Sequence, residues 1–181
     1  MSLEKIAAYV LDATAFALPM GVLCLLGLAL WKRRAFRWGT EGLWVLFVTY
    51  SAALLKITAI RQAGWEDFSL HHSMESLRLI PVWGTWLMLK QSLWLFFYNV
   101  LGNILWFLPL GLFLRWIRKE SSWKSALAIG AGVSFAIELT QWLLQSGISD
   151  VNDVLLNAAG TVLGWWLFPW VCTYWKRWRK R

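Results

Sequence analysis

The sequence predicts an all-α integral membrane protein with five transmembrane helices. Its 181 residues are 59% hydrophobic and only 15% charged, with a mean hydropathy of +0.50, whereas a soluble domain has about 25% charged residues. Five apolar runs each approach the ~20 residues that a helix needs to cross a bilayer. They cover residues 10–31, 43–60, 93–116, 125–145 and 154–174. The length of the chain predicts a single membrane domain over residues 1–181.

The one long connection, residues 61–92, is predicted to be extracellular and partly interfacial. Its polar first half contains His71 and His72, which we expect to be solvated, with a metal or proton-shuttle role as the alternative. Its end, residues 79–89, reads Leu-Ile-Pro-Val-Trp-Gly-Thr-Trp-Leu-Met-Leu. This stretch is too short to span, so it predicts a re-entrant or interfacial segment before the third helix.

Basic residues predict the orientation of the five spans. Cytoplasmic loops of membrane proteins carry an excess of Lys and Arg. With five spans, one side of the membrane holds Lys32, Arg33, Arg34, Arg37, Arg115, Arg118, Lys119, Lys124, Lys176, Arg177, Arg179, Lys180 and Arg181. The other side holds Lys5, Arg61, Arg78 and Lys90. The N-terminus is therefore predicted outside and the C-terminus in the cytoplasm. The basic blocks indicate topology and lipid contact rather than nucleic-acid binding.

Polar side chains at helical spacing inside three of the spans predict one shared site. Such groups are costly in lipid unless they have a partner, water or a ligand. With a rise of ~1.5 Å per residue and the predicted orientation, they all lie at or outside the membrane midplane. The pattern therefore predicts an outward-facing polar pocket rather than a channel. The residues are Asn99, Asn103, Glu138, Gln141 and Asn157.

Each of these residues has a structural alternative. Glu138 is the candidate acid, base or proton acceptor, and the alternative is a hydrogen bond to Gln141 or Asn103 that holds helices together. Asn99, Asn103, Gln141 and Asn157 are candidates for binding a substrate head group, and interhelical hydrogen bonds explain the asparagines equally well.

The outer turn before the fifth span carries two further candidates, Asp150 and Asp153. Together they could recruit a divalent cation that bridges to a phosphate. Asp153 directly precedes Val154 and is predicted to be the N-cap of the fifth helix, whereas no structural role is apparent for Asp150. Arg78, before a Leu-Ile-Pro bend, is a candidate for contacting an anionic head group.

Two pairs of residues predict helix packing instead of a site. Asp12 and Lys56 are expected to form an ion pair between the first two helices. Gly160 and Gly164 have the small-xxx-small spacing of close helix contacts. No Gly-rich phosphate loop, HExxH motif or cysteine-based metal site occurs, so the sequence indicates no specific reaction and no cofactor beyond a divalent cation.

The three polar stripes resemble the VanZ-like family of small bacterial membrane proteins over residues 77–166. The matching segments read Asn99-Val-Leu-Gly-Asn103-Ile-Leu-Trp-Phe-Leu-Pro109-Leu-Gly111, Ser134-Phe-Ala-Ile-Glu138-Leu-Thr-Gln141 and Asp150-Val-Asn-Asp153-Val-Leu-Leu-Asn157-Ala-Ala-Gly160. The segment from Leu79 to Pro81 is similar to the family's Asn-Leu-x-Pro-Phe, with Arg78 where Asn is common. Family members often carry an Arg shortly before the first Asp of the outer turn, where this chain has Ser146-Gly-Ile-Ser149. Another donor, such as Arg78, would have to replace it.

The resemblance implies a role at the bacterial cell envelope, in the plasma membrane. The founding member of the family is linked to resistance to teicoplanin-type glycopeptides. The leading hypothesis is a site that binds or modifies an envelope lipid or a lipid-linked precursor, and whether catalysis occurs is left open. The alternatives are a proton- or ion-coupled transporter and a non-catalytic partner of an envelope-synthesis complex.

Overall fold

The computed structural model describes residues 3–32, 37–58, 77–81, 83–144 and 147–178. They form six helices and two very short strands: α1 (Leu3–Lys32), α2 (Trp38–Thr58), β1 (Leu77–Arg78), α3 (Trp83–Gln91), α4 (Leu93–Ile117), α5 (Trp123–Leu143), β2 (Ser149–Asp150) and α6 (Val151–Trp178). His71, His72, most of the basic tail and the polar half of the long connection lie outside the described residues.

Five of the helices are long and apolar enough to cross a membrane, which confirms the predicted all-α class and the number of spans. They are Val10–Lys32, Trp38–Thr58, Leu93–Ile117, Trp123–Leu143 and Val151–Trp175. Large apolar side chains cover their outer faces, as lipid contact requires, and Leu11 and Leu30 are each 71% exposed. The remaining helix, α3, has nine residues and is too short to span.

The chain divides into two compact units, and α1 and α2 belong to the first. These two helices pack antiparallel, since ion pairs join opposite ends of the hairpin. Lys56 Nζ lies 3.1 Å from a carboxylate oxygen of Asp12, which confirms the predicted pair. At the other end, Lys32 Nζ lies 2.7 Å from a carboxylate oxygen of Glu41, which is almost completely buried.

The second unit contains α3 to α6 and both strands. Its centre is the contact of α4 with α6, which run parallel with touching backbones. A Cβ atom at Gly160 would overlap the backbone of Ile104, and one at Gly164 would overlap that of Leu108. Gly111 on α4 meets the α6 backbone in the same way. Only glycine permits such an approach, so the packing role predicted for Gly160 and Gly164 is confirmed.

Helix α5 runs antiparallel to α6 and completes the three-helix core. Gly130 of α5 lies against Thr161 of α6. At the start of α5, Trp165 Nε1 donates to Ser121 Oγ at 2.9 Å, and the Arg115 guanidinium stacks 3.7 Å from the centre of the Trp165 ring. Because α4 and α6 run parallel, Asn99 and the start of α6 lie toward the same end of the core.

Candidate functional site

Glu138 lies where the end of α5 meets the start of α6. It is 7% exposed, and its Oε2 atom accepts a hydrogen bond from the backbone N–H of Asp150 at 3.0 Å. Its main-chain carbonyl also accepts a hydrogen bond from Ser149 Oγ at 2.7 Å. A buried backbone N–H therefore has its partner in the Glu138 carboxylate. The acid–base role of Glu138 stays a prediction.

Asp150, rather than Asp153, is the N-cap of α6. Its Oδ1 atom accepts hydrogen bonds from the backbone N–H of Asn152 at 2.9 Å and from Asn152 Nδ2 at 2.8 Å. The prediction that Asp153 caps the helix is wrong, because α6 begins at Val151 and Asp153 lies inside its first turn. A side chain that accepts from the second helical N–H is the usual N-cap geometry.

A two-residue parallel strand pair brings Arg78 to the same place. Leu77 pairs with Ser149 and Arg78 with Asp150, so the end of the long connection joins the start of α6. Gly84, in the first turn of α3, lies between the two charged residues. A Cβ atom on Gly84 would be 2.5 Å from Asp150 Oδ2 and 3.5 Å from Arg78 Cδ.

An apolar cavity of about 280 Å³ opens beside these residues. Glu138 and Asp150 form part of its wall. The rest of the wall is mainly apolar and includes Leu77, Leu79, Phe135, Leu139, Trp142 and Val154. The cavity surface is almost wholly apolar even though Glu138 and Asp150 belong to its wall, so it suits an apolar chain that ends beside these two residues.

Two of the asparagines predicted to bind a substrate make hydrogen bonds between helices. Asn103 Nδ2 donates to Asp153 Oδ1 at 2.7 Å, which joins α4 to α6. Asn157 Nδ2 donates to Ser134 Oγ at 2.8 Å, which joins α6 to α5. Among the described residues, the buried Asn157 Oδ1 has no hydrogen-bond partner. These contacts match the structural alternative, and substrate binding by these residues stays a prediction.

The other predicted residues lie near the site without reaching its cavity wall. Asn99 is half-buried on α4, one turn from Asn103, and Gln141 is half-buried on α5, three residues after Glu138. Neither side chain lines the cavity. Their roles also stay predictions.

The structure adds buried polar residues that sequence reasoning missed. Ser134 and Thr161 are fully buried, and Asn152 is 6% exposed. Ser134 precedes Glu138 by four residues, and Thr161 follows Asn157 by four, so the helical spacing that indicated the site should have included both. Thr161 Oγ1 donates to the carbonyl of Asn157 at 2.9 Å.

The described residues do not form a complete set of ligands for the predicted divalent cation. Within residues 3–32, 37–58, 77–81, 83–144 and 147–178, no group of three or more His, Cys, Asp or Glu residues could hold a metal. Asp150 and Asp153 have different hydrogen-bond partners, Asn152 and Asn103. A cation bound by Asp150 and Asp153 would need further oxygen ligands from a bound molecule or water, and it stays a prediction.

Comparison with known proteins agrees with the resemblance in the polar stripes. A family model described as VanZ/LLP1 matches residues 47–172. The chain is similar to Protein VanZ of Enterococcus faecium, with 31% identity over 68 residues. That match covers 38% of this chain and only 42% of the relative. No solved structure matches the chain significantly. Since the family model covers well over half of the residues, the chain belongs to the VanZ/LLP1 family of membrane proteins.

Proposed function

We propose that this protein binds an envelope lipid or a lipid-linked precursor in the outer leaflet of the bacterial plasma membrane. The cavity beside Glu138 and Asp150 carries the proposal, because an almost wholly apolar cavity opens next to two buried acidic residues. An apolar chain of the lipid would fill the cavity. The polar head would then meet the carboxylates at the start of α6.

The energetic cost of this arrangement supports binding. Acidic side chains within a membrane helix are expensive and are usually kept for a functional purpose. Glu138 lies in α5, which is long enough to span, and lines a cavity of about 280 Å³. If Glu138 only joined two helices, an uncharged residue could perform that task without the cost.

The distribution of basic residues supports an outer location. The loop between α4 and α5 contains Arg118 and Lys119, and such loops face the cytoplasm. The start of α6 lies at the opposite end of α5, so the cavity would open to the outer leaflet. Tolerance to teicoplanin-type glycopeptides would follow if the bound lipid were the precursor that these antibiotics recognise.

Lipid retention by the purified protein tests the proposal. Wild-type protein extracted in a mild detergent should retain a lipid that native mass spectrometry identifies. Glu138→Gln should lose it, because the amide can still accept from the Asp150 N–H but carries no charge. The matched control is Glu120→Gln, at an exposed position between α4 and α5, which should retain the lipid. Equal lipid retention and equal glycopeptide tolerance in wild type and Glu138→Gln would reject the proposal.

A second candidate, a non-catalytic partner of an envelope-synthesis complex, is favoured by one face of α5. Ala128, Gly132 and Ala136 are spaced four residues apart and are all exposed. A Cβ atom at Gly132 would meet nothing within 4 Å. Small residues at this spacing allow another membrane helix to approach closely. Gly132→Leu should then abolish co-purification of a membrane partner while leaving lipid retention unchanged.

A further inference from the structure

We propose that Arg78 and Asp150 together select a zwitterionic head group in which a phosphate lies close to a primary ammonium. This inference rests on the lipid-binding function proposed above and specifies the chemistry of the head group. Arg78 would bind the phosphate and Asp150 would bind the ammonium.

The first observation is that two opposite charges face each other without forming an ion pair. Arg78 and Asp150 are partners in the β1–β2 register. The structure describes both residues, and no ion pair joins them. Opposite charges in apolar surroundings attract strongly. The failure of these two to pair directly leaves both charges available to a ligand.

The second observation is that Asp150 has an unused acceptor. The residue is 6% exposed and lines the cavity. Its Oδ1 atom takes both hydrogen bonds from Asn152. Its Oδ2 atom accepts none from the described residues. Because Oδ2 is not one of the fully buried unpaired atoms, a ligand that brings a donor can reach it.

The third observation is the position of Gly84 between the two charges. Gly84 packs so closely against both residues that a Cβ atom would lie 2.5 Å from Asp150 Oδ2 and 3.5 Å from Arg78 Cδ. Any other residue at this position would displace the Asp150 carboxylate or shift α3.

The chemistry of the two side chains indicates which ligand group each one binds. A guanidinium presents a planar fork of donors that matches a phosphate. An ammonium is a compact cation with three donors, and the adjacent Glu138 carboxylate adds a second negative charge that favours it.

The test compares three lipids that differ only in the head group. The full-length protein in detergent is titrated with phosphatidylethanolamine, phosphatidylcholine and phosphatidylglycerol of identical acyl chains, and bound lipid is measured by native mass spectrometry. Phosphatidylethanolamine should bind roughly tenfold or more tightly than either of the others, as expected for one charge-assisted hydrogen bond. Methylation of the amine removes its donors, and phosphatidylglycerol has no cation.

Two substitutions assign the selectivity to individual residues. Asp150→Asn keeps an N-cap of similar strength but should remove the preference for phosphatidylethanolamine over phosphatidylglycerol. Arg78→Gln should weaken binding of all three lipids, while Glu120→Gln should change nothing. Should Asp150→Asn fail to fold, the comparison of the three lipids on the wild-type protein still decides the question.

The outcomes separate this inference from the function on which it rests. Equal binding of the three lipids would overturn the head-group assignment and leave the lipid-binding proposal standing. Loss of the preference in the presence of EDTA would also overturn it, because the ligand of Asp150 would then be a bridging cation. Failure to bind any of the three would overturn the head-group assignment, and the lipid-binding proposal falls with it only if the purified protein also retains no native lipid.

Discussion

The backbone N–H of Asp150 donates a hydrogen bond to the carboxylate of Glu138 at 3.0 Å. In a capping box, the acidic residue at the third helical position reaches back to the N-cap N–H. Here Asp153 occupies that position, but it accepts from Asn103 of α4 instead. Glu138 of α5 therefore accepts the hydrogen bond from the N-cap N–H of α6, which in a capping box goes to a residue of the same helix. Acidic side chains from α5 and α6 therefore lie together at the start of α6. The positive end of the α6 dipole stabilises the negative charge of these side chains.

Glu138→Ala and Glu138→Gln should separate the structural role of this residue from a functional one. Alanine leaves the buried N–H of Asp150 without an acceptor, which costs about 1–3 kcal/mol of stability. Glutamine keeps an acceptor, so its melting temperature should stay close to that of the wild type. Thermal unfolding of the purified protein in detergent measures both. Equal destabilisation by the two substitutions would show that the charge, rather than the hydrogen bond, stabilises this end of the helix.

Gly84→Ala should disturb the site although it adds only a methyl group. The added Cβ would lie 2.5 Å from Asp150 Oδ2, so either the carboxylate or α3 must shift, and overpacking of this kind costs about 1–3 kcal/mol. The matched control is Gly102→Ala in α4, where nothing lies within 4 Å. That control should be neutral or slightly stabilising. If both variants melt alike, Gly84 does not lie against Asp150.

The membrane helices were predictable because their signal is long and local. Runs of about twenty apolar residues bounded by basic blocks identify a span without any tertiary information. The pair of Asp12 with Lys56 was predictable for a related reason, since both charges lie within apolar runs that must pack side by side. The packing role of Gly160 and Gly164 on α6 was predictable too, because their spacing is also a local feature of the sequence.

The construction of the site was not predictable from the same signals. Strands of two residues have no periodicity that a sequence pattern can reveal, and the partners Arg78 and Asp150 are far apart in the chain. The N-cap was wrongly assigned because Val151-Asn-Asp153 is polar enough to pass for a loop. The third of these residues, Asp153, is also of a type that is common at N-caps. In the structure these three residues form the first turn of α6, which moves the cap to Asp150.

The hydrogen bond between Asn103 and Asp153 should couple α4 to α6 measurably. A double-mutant cycle with Asn103→Ala, Asp153→Ala and the double variant should give a coupling free energy of about 0.5–2 kcal/mol, the range found for polar contacts between membrane helices. Unfolding equilibria in mixed micelles provide the four stabilities. Additive effects would show that the two side chains do not stabilise each other.

The predicted orientation can be tested with two cysteines at opposite ends of α5. Ile148 is 49% exposed between α5 and α6, and Glu120 is exposed between α4 and α5. The native Cys24 and Cys172 lie within α1 and α6 and would first be replaced by alanine. Because basic loops face the cytoplasm, a membrane-impermeant maleimide should label Ile148→Cys in intact cells. It should label Glu120→Cys only after permeabilisation. The opposite pattern would turn the cavity at Glu138 toward the cytoplasm, and a lipid of the outer leaflet could then no longer be its ligand.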